Sequence, residues 1–241
     1  MSDRDQTTNQ MHELRYREIA ELAGGLAHEI RNPLSTISLN LGVLREELSD
    51  SDNPRDRRMQ QRLTTIQGEC DRLQTFLNTF LQFANSAMEI QREPHDLSAY
   101  IHELIDFLKP DFAASQIEIS PHLATDLPQT LIDPAQFRRA LLNLTRNAQQ
   151  AMPDGGTLEF QTYRSEGGVV LEIIDTGNGI PPHVQEKMFD VFYSTRPGGS
   201  GLGLPTVRKI IEAHEGSIQC ASEVGKGTRF RITLPACDQQ T

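Results

Sequence analysis

Four stretches of this sequence carry residue types and spacings that could do chemistry. In "NLTRNAQQA", Asn143 and Asn147 stand four apart and share one face of a helix. Two neutral amides there offer an oxygen to a hard cation and N–H donors to phosphate. Asparagine is an indifferent helix former, so the pair asks for a reason, and a plain solvent face is the rival one. In "IIDTGNGI" an apolar strand ends at Asp175, followed by Gly177 and Gly179. That arrangement lets a backbone turn tightly beside a flat ligand while the carboxylate accepts from an exocyclic amine; an Asx turn closing a hairpin explains the same residues without a ligand. "GGSGLGL", residues 198–204, precedes the apolar series Leu204, Val207, Ile210 and Ile211 and so opens a helix whose first amides can bind phosphate. It is not a dinucleotide fingerprint, because no clear strand precedes it and no acidic residue follows at the required distance, and no Walker lysine pattern occurs anywhere.

The fourth stretch is "GLAHEIRNPL", residues 25–34, which places His28, Glu29, Asn32 and Pro33 inside a long amphipathic helix. Proline lacks an amide hydrogen and its ring crowds the carbonyl four residues back, that of Glu29, so a bend is expected one turn after His28. If Leu22, Leu26, Ile30 and Leu34 face a core, His28 lies about 160 to 200 degrees away and faces solvent. A single helical histidine is ordinarily a surface residue, and six others here have no claim on chemistry.

Two kinds of element position these residues. From Met11 to about Gln91 apolar residues recur every three or four positions, first from Ile19 to Leu48, then from Met59 to Ala87 as a heptad seam. "SDSDNPRD" between them reads as the turn of a helical hairpin. Its stripe is too wide for two helices to bury against each other, so two chains are expected to form a four-helix bundle, the rival being a monomeric hairpin packed on its own second domain. From about Pro94 "LSAYIHELIDFLKP" and "DPAQFRRALLNLTRNAQQAM" read as helices, the second capped by Asp133 with Pro134 at its first position. Alternating runs at Ile117–Ile119, Leu158–Phe160, Val169–Ile174 and Phe230–Leu234 read as strands, giving an α+β sandwich with helices on one face of a sheet. The expected segments are a disordered 1–11, the helical hairpin 12–91, a linker 92–97, the α/β domain 98–236 and a tail 237–241.

Composition narrows the partners. With 23 Lys and Arg against 33 Asp and Glu, the net charge of −10 argues against nucleic acid. No apolar run reaches the roughly 18 residues of a membrane helix, and "MSDRDQTTNQ" has no signal-peptide core, so a cytoplasmic protein without membrane insertion is expected. Cys70, Cys220 and Cys237 lack metal-ligand spacing and read as reduced thiols.

Taken in order, "NLTRNAQQA", "DTGNGI", "FDVF", "GSGLGL" and "GKGTRF" resemble the N, G1, F, G2 and final glycine motifs of two-component sensor histidine kinases, and "GGLAHEIRNPL" resembles their phosphoacceptor box. The resemblance covers residues 12 to 236 and implies a dimeric helical hairpin followed by a Bergerat-type α/β sandwich of the GHKL ATPase superfamily. It makes His28 the phosphate acceptor from ATP, Glu29 the neighbouring acid or base, and Asn32 the group that orients water for dephosphorylation of a partner. Asn147 becomes the Mg²⁺ ligand with Asn143 near the phosphates. Asp175 reads the adenine amino group in a loop shaped by Gly177 and Gly179. Phe189 and Phe192 anchor a lid, Gly199, Gly201, Leu202 and Gly203 line the phosphate side, and Thr228 lies near the base. "YSTRPGG" is similar to the short lids of the nitrogen-regulation subgroup, with Thr195 and Arg196 as its polar residues. Many relatives carry a lysine three residues after the metal-binding asparagine; here that position is Gln150, and Arg196 is the candidate for balancing phosphate charge.

The implied chemistry is attack by a neutral imidazole on the γ-phosphorus of Mg-ATP, with transfer onward to an aspartate of a response regulator receiver domain. A separate sensor protein is one expected source of the signal, since no sensor domain is visible before the first helix. The alternatives are a GHKL ATPase or serine kinase sharing the nucleotide loops, and a dimeric adaptor that kept the fold without activity.

Overall fold

A computed structural model describes residues 30–48, 53–85, 90–166, 168–196 and 199–237. His28, Glu29, the expected bend at the Glu29 carbonyl and the expected disordered 1–11 lie outside the described residues. The chain divides into two units, Met1–Met88 and Glu89–Thr241.

In the first unit, residues 30–47 are helical (α1) and Pro54–Asn85 form α2. Asn53 starts α2, its side-chain oxygen accepting from the Arg55 amide at 2.9 Å, with Pro54 at the first helical position, where a missing N–H costs nothing. The heptad pattern separates into two seams. Leu34 and Leu41 of α1 pack with Leu63 and Cys70 of α2, all buried, and Leu48 closes one end. The other seam, Ile30, Ile37 and Leu44 with Met59, Ile66 and Leu73, stays 40% to 53% exposed. One hairpin therefore closes one seam and leaves a second apolar row open. Arg31 ties the helices together by donating to Asn78 Oδ1 at 2.6 Å.

The second unit contains β1 (Glu93–His95), α3 (Leu97–Ala114), β2 (Ile117–Leu123), β3 (Thr130–Ile132), α4 (Pro134–Ala151), β4 (Gly156–Ser165), β5 (Gly168–Asp175), α5 (Pro182–Gln185), α6 (Gly203–Ala213), β6 (Ser217–Glu223) and β7 (Gly227–Leu234). Five strands form a sheet in the order β2-β4-β5-β7-β6, parallel at β2–β4 and antiparallel elsewhere. Alternation puts Leu158, Phe160, Leu171, Ile173, Phe230 and Ile232 on one face, where α3, α4 and α6 bury them with residues such as Leu104, Phe137 and Ile210. On the other face the buried Glu172 accepts from Arg231 Nε at 2.7 Å and from the Tyr163 hydroxyl at 3.0 Å. The sandwich with helices on one face is the architecture the sequence led us to expect.

The stretch read as a linker, 92–97, is instead part of this unit. Glu93–His95 pair antiparallel with Thr130–Ile132, and Asp96 caps α3 by accepting from the Ser98 and Ala99 amides. Three-residue pairing has too little periodicity to stand out in sequence. Edge strand β6 also has a weak sequence signal, because Ser217–Glu223 carries a single large apolar residue, Ile218.

The start of α4 is built as expected and extended. Asp133 Oδ1 accepts from the Ala135 and Gln136 amides at 3.0 and 3.1 Å, and Oδ2 accepts from the Gln91 amide at 3.0 Å. The Asp133 amide donates to Nε2 of buried His214 at 2.8 Å, which assigns the ring proton to Nδ1, and Nδ1 donates to the Ile210 carbonyl at 2.7 Å. Burial lowers the His214 pKa from its ordinary 6.5, so the ring is held neutral.

Candidate functional site

The site grows from the end of β5. Asp175 is buried, and two backbone amides donate to its Oδ1: Gly177 at 2.9 Å and Thr228 at 3.2 Å. With both amides on Oδ1, Oδ2 is the oxygen left for a ligand donor. Burial raises the carboxyl pKa above its ordinary 3.8, and the two amides pull it back down. Across the neighbouring strand, Ser222 Oγ donates to the Gly227 carbonyl at 2.8 Å and accepts from the Ile180 amide at 2.8 Å, and it lies 3.0 Å from Thr228 Oγ1. Ser222 therefore stitches the loop after Asp175 to the β6–β7 turn. Gly179 adopts φ +69°, and a Cβ there would lie 2.1 Å from the Glu223 carbonyl oxygen. Only glycine fits that approach.

The end of α4 lies beside this loop: the Ala151 carbonyl accepts from the Asn178 amide at 3.0 Å, and a Cβ on Gly177 would come within 2.7 Å of the same oxygen. On the α4 face, Arg196 Nη1 donates to Asn147 Oδ1 at 3.2 Å and to Gln150 Oε1, while Nη2 donates to the Asn147 carbonyl at 3.4 Å. Asn143 lies one turn earlier, its Oδ1 3.8 Å from where a Cβ of Gly203 would stand. Gly203 begins α6, so its helix N-terminus and the α4 asparagines are neighbours. Arg139, one turn before Asn143, and Lys209 on α6 are both partly buried. Burial lowers each pKa from its ordinary value, and Arg139 adds repulsion at Lys209.

The two phenylalanines expected to anchor a lid have different settings. Phe189 packs on the core, with the Arg208 guanidinium 4.1 Å from its ring centre. Phe192 is 57% exposed with φ +68°, and its amide donates to the Gly201 carbonyl at 3.0 Å. That hydrogen bond pins the glycine loop to the segment before it, where Gly201 itself takes φ +65° with no room for a Cβ against Phe192. Leu202 is fully buried, and its carbonyl accepts from both Thr206 Oγ1 and the Thr206 amide at the start of α6. Thr195 and Gly199 are exposed on the same segment, and Asn32 is exposed on α1 in the other unit.

Residues 132–238 match the family described as histidine kinase-, DNA gyrase B- and HSP90-like ATPases, and residues 18–89 match the His kinase A phospho-acceptor domain. The chain is 30% identical to a solved mycobacterial sensor histidine kinase, MprB, covering 98% of that chain and 61% of its own at a TM-score of 0.53. The chain belongs to the sensor histidine kinases. It is similar over 90% of its length to ShkA, solved full-length in complex with AMPPNP, at 27% identity and a TM-score of 0.68, covering 47% of that chain. Among curated relatives, sporulation kinase E of Bacillus subtilis strain 168 is 32% identical over 219 residues, 90% of this chain and 28% of the relative. AtoS of Escherichia coli K12 is 31% identical over 222 residues, 92% of this chain and 35% of the relative. The chain thus spans 24% to 49% of the length of curated relatives such as these.

The ATP-binding family fits what the geometry offers: a buried carboxylate for an amine, a helix N-terminus for phosphate, and amide oxygens for a cation. In this structure Asn147 Oδ1 accepts from a positive group, the Arg196 guanidinium. A neutral amide oxygen is a fitting ligand for Mg²⁺ when phosphate oxygens complete its shell. Among the expected residues, Asp175, Gly177, Gly179 and Thr228 form one cluster, and Asn143, Asn147, Arg196 and Gly203 a second. Sequence reasoning missed Ser222, an ordinary serine on a weak strand, and Gln150, noticed only as the residue replacing a lysine. No helix among the described residues is long and apolar enough to cross a membrane.

Proposed function

We propose that this chain is an ATP-dependent protein-histidine kinase that phosphorylates its own His28 and passes the phosphoryl group to an aspartate of a response regulator, which it also dephosphorylates. The observation that carries the reading is the pair of backbone amides fixing one oxygen of buried Asp175, in a chain whose residues 18–89 match a phospho-acceptor domain. Asp175 accepts from the adenine amine, Asn143 and the start of α6 hold phosphate oxygens, and Asn147 contributes an oxygen to Mg²⁺. Mg²⁺, when bound, spreads the negative charge of the transferring phosphoryl group. Glu29 accepts from one ring nitrogen of His28, fixing the tautomer that leaves the other nitrogen's lone pair free. A nitrogen–phosphorus bond forms at that atom as the bond to ADP breaks. Asn32, four residues on in sequence, orients the water used in dephosphorylation.

The open apolar seam of the hairpin supports a homodimer, because a second copy covers the row that runs from Ile30 to Leu44 and from Met59 to Leu73. We also place the chain in the cytoplasm, where a separate sensor protein or a further part of a longer chain supplies the signal. The decisive experiment incubates the protein with [γ-³²P]ATP. His28→Ala is expected to abolish acid-labile labelling while nucleotide binding persists, and Asn147→Ala to abolish labelling and weaken Mg-ATP binding. Persistent labelling of the His28 variant refutes the assignment, and acid-stable label points to a serine kinase instead.

A further inference from the structure

On α4, Asn147 and Gln150 are three residues apart and present neighbouring oxygens, and one guanidinium takes both. We propose that Gln150 is a positioning residue that seats the Arg196 guanidinium on the metal-ligating oxygen of Asn147, so that Arg196 and a divalent cation compete for one atom. This rests on the nucleotide reading given above.

The guanidinium donates to three acceptors on α4. Nη1 reaches Asn147 Oδ1 at 3.2 Å and Gln150 Oε1, and Nη2 reaches the Asn147 carbonyl at 3.4 Å. A planar fork of donors suits such a set of acceptors, which a lysine could satisfy only as a point charge. The backbone behind the side chain is also held: the Arg196 amide donates to Ser194 Oγ at 3.2 Å, and that hydroxyl faces the Arg196 carbonyl at 3.4 Å. All three acceptors on α4 are neutral oxygens.

Asn147 Oδ1 cannot serve the guanidinium and a metal ion together. Mg²⁺ requires direct oxygen contact at about 2.0–2.1 Å, and its two charges repel a guanidinium sharing the same oxygen. Metal entry therefore displaces Arg196 from Asn147, and the displaced positive charge is then next to the position of an anionic ligand. Gln150 need never touch metal or nucleotide to act. It sets how firmly the resident cation holds the oxygen, which a lysine at this position could not do because it would repel Arg196.

The test uses the full chain and a fluorescent ATP analogue, titrating Mg²⁺ and reading the concentration that gives half-maximal analogue binding. Gln150→Ala is expected to lower that midpoint roughly threefold to tenfold, the loss of one hydrogen bond to a charged group at an exposed position. In an Arg196→Ala background, the same Gln150→Ala change is expected to have no effect. A midpoint that is unchanged or raised by Gln150→Ala, or lowered equally with and without Arg196, overturns the proposal. If the unaltered chain shows no Mg²⁺-dependent binding, the nucleotide reading fails and takes the proposal with it. Normal binding with unshifted midpoints defeats the proposal alone.

Discussion

Asp175→Asn gives the sharpest test of nucleotide recognition because the replacement keeps the fold's own hydrogen bonds. Both backbone amides, of Gly177 and Thr228, donate to Oδ1 at 2.9 and 3.2 Å, so an asparagine places its carbonyl oxygen there. Its NH₂ then occupies the Oδ2 position, where the proposed partner is the amine of adenine. Two donors face each other. The lost charge-assisted bond is worth about 1.5–3 kcal/mol, and leaving a donor unsatisfied in a buried site adds to it. A total near 3 kcal/mol corresponds to roughly 100-fold weaker ATP binding. Alanine would be a poorer choice, since it strips two buried amides of their acceptor and mixes folding with binding.

The same geometry predicts a change of preference rather than a simple loss. Inosine carries an oxygen where adenosine carries the amine, so the asparagine NH₂ can donate to it. The ratio of ITP to ATP affinity, measured by calorimetric titration of both proteins, is expected to rise by at least an order of magnitude in Asp175→Asn. An unchanged ratio, or ATP affinity within threefold of the original, refutes the role given to Oδ2. Acidity offers a parallel check. Burial raises the Asp175 pKa above 3.8, so protonation removes the acceptor, and ATP affinity falls away at a pH higher than an ordinary aspartate would dictate. For folding the sign reverses: ionising this buried carboxyl costs stability, and that cost disappears as pH drops through the raised pKa.

Three further outcomes follow from the packing. Asp133→Ala removes the α4 cap and the acceptor of the Gln91 amide, a loss of about 2 kcal/mol that lowers the thermal midpoint of the second unit by several degrees in a melting curve. His214 is neutral when folded with its pKa below 6.5, so its contribution is present above 6.5 and is lost as pH falls through that value toward the folded pKa. Urea unfolding at pH 7.5 and 5.5 is expected to show the original protein losing stability relative to His214→Gln on acidification, by up to about 1.4 kcal/mol per pH unit. Ile66, 47% exposed on the open seam, is expected as aspartate to give monomers in sedimentation with helicity retained, whereas aspartate at buried Leu63 unfolds the hairpin.

The parts of this protein legible in sequence are those where the backbone itself is constrained. Asp133-Pro134 announces a helix start because few other residues satisfy the first amides, and the cap is where it was expected. Gly179 and Gly201 mark turns with positive φ and no room for a side chain, so residue type alone is enough to locate their loops. Heptad spacing revealed both hairpin helices, yet it could not say which apolar row meets the partner helix. Only burial separates Leu34 and Leu41 from Ile37 and Leu44. What stayed hidden depends on contacts between distant residues of unremarkable type. Arg196 reaches Asn147 across 49 positions, and Ser222 bonds a loop 42 positions away.

Several long-range contacts converge on α4, and that convergence joins motifs that are separate in sequence. At its start, Asp133 caps the helix and its amide is held by His214, which follows the end of α6. Along its face stand Asn143 and Asn147, and at its far end the Ala151 carbonyl accepts from Asn178 in the loop that follows Asp175. A shift of α4 along its axis would therefore change the distance between the proposed adenine and phosphate positions, while α6, tied through His214, would have to move with it. The close approach of Gly177 to Ala151 fixes that register from the loop side. Gly177→Ala, whose Cβ would stand 2.7 Å from the Ala151 oxygen, is thus expected to weaken ATP binding by shifting α4 against the loop that holds Asp175.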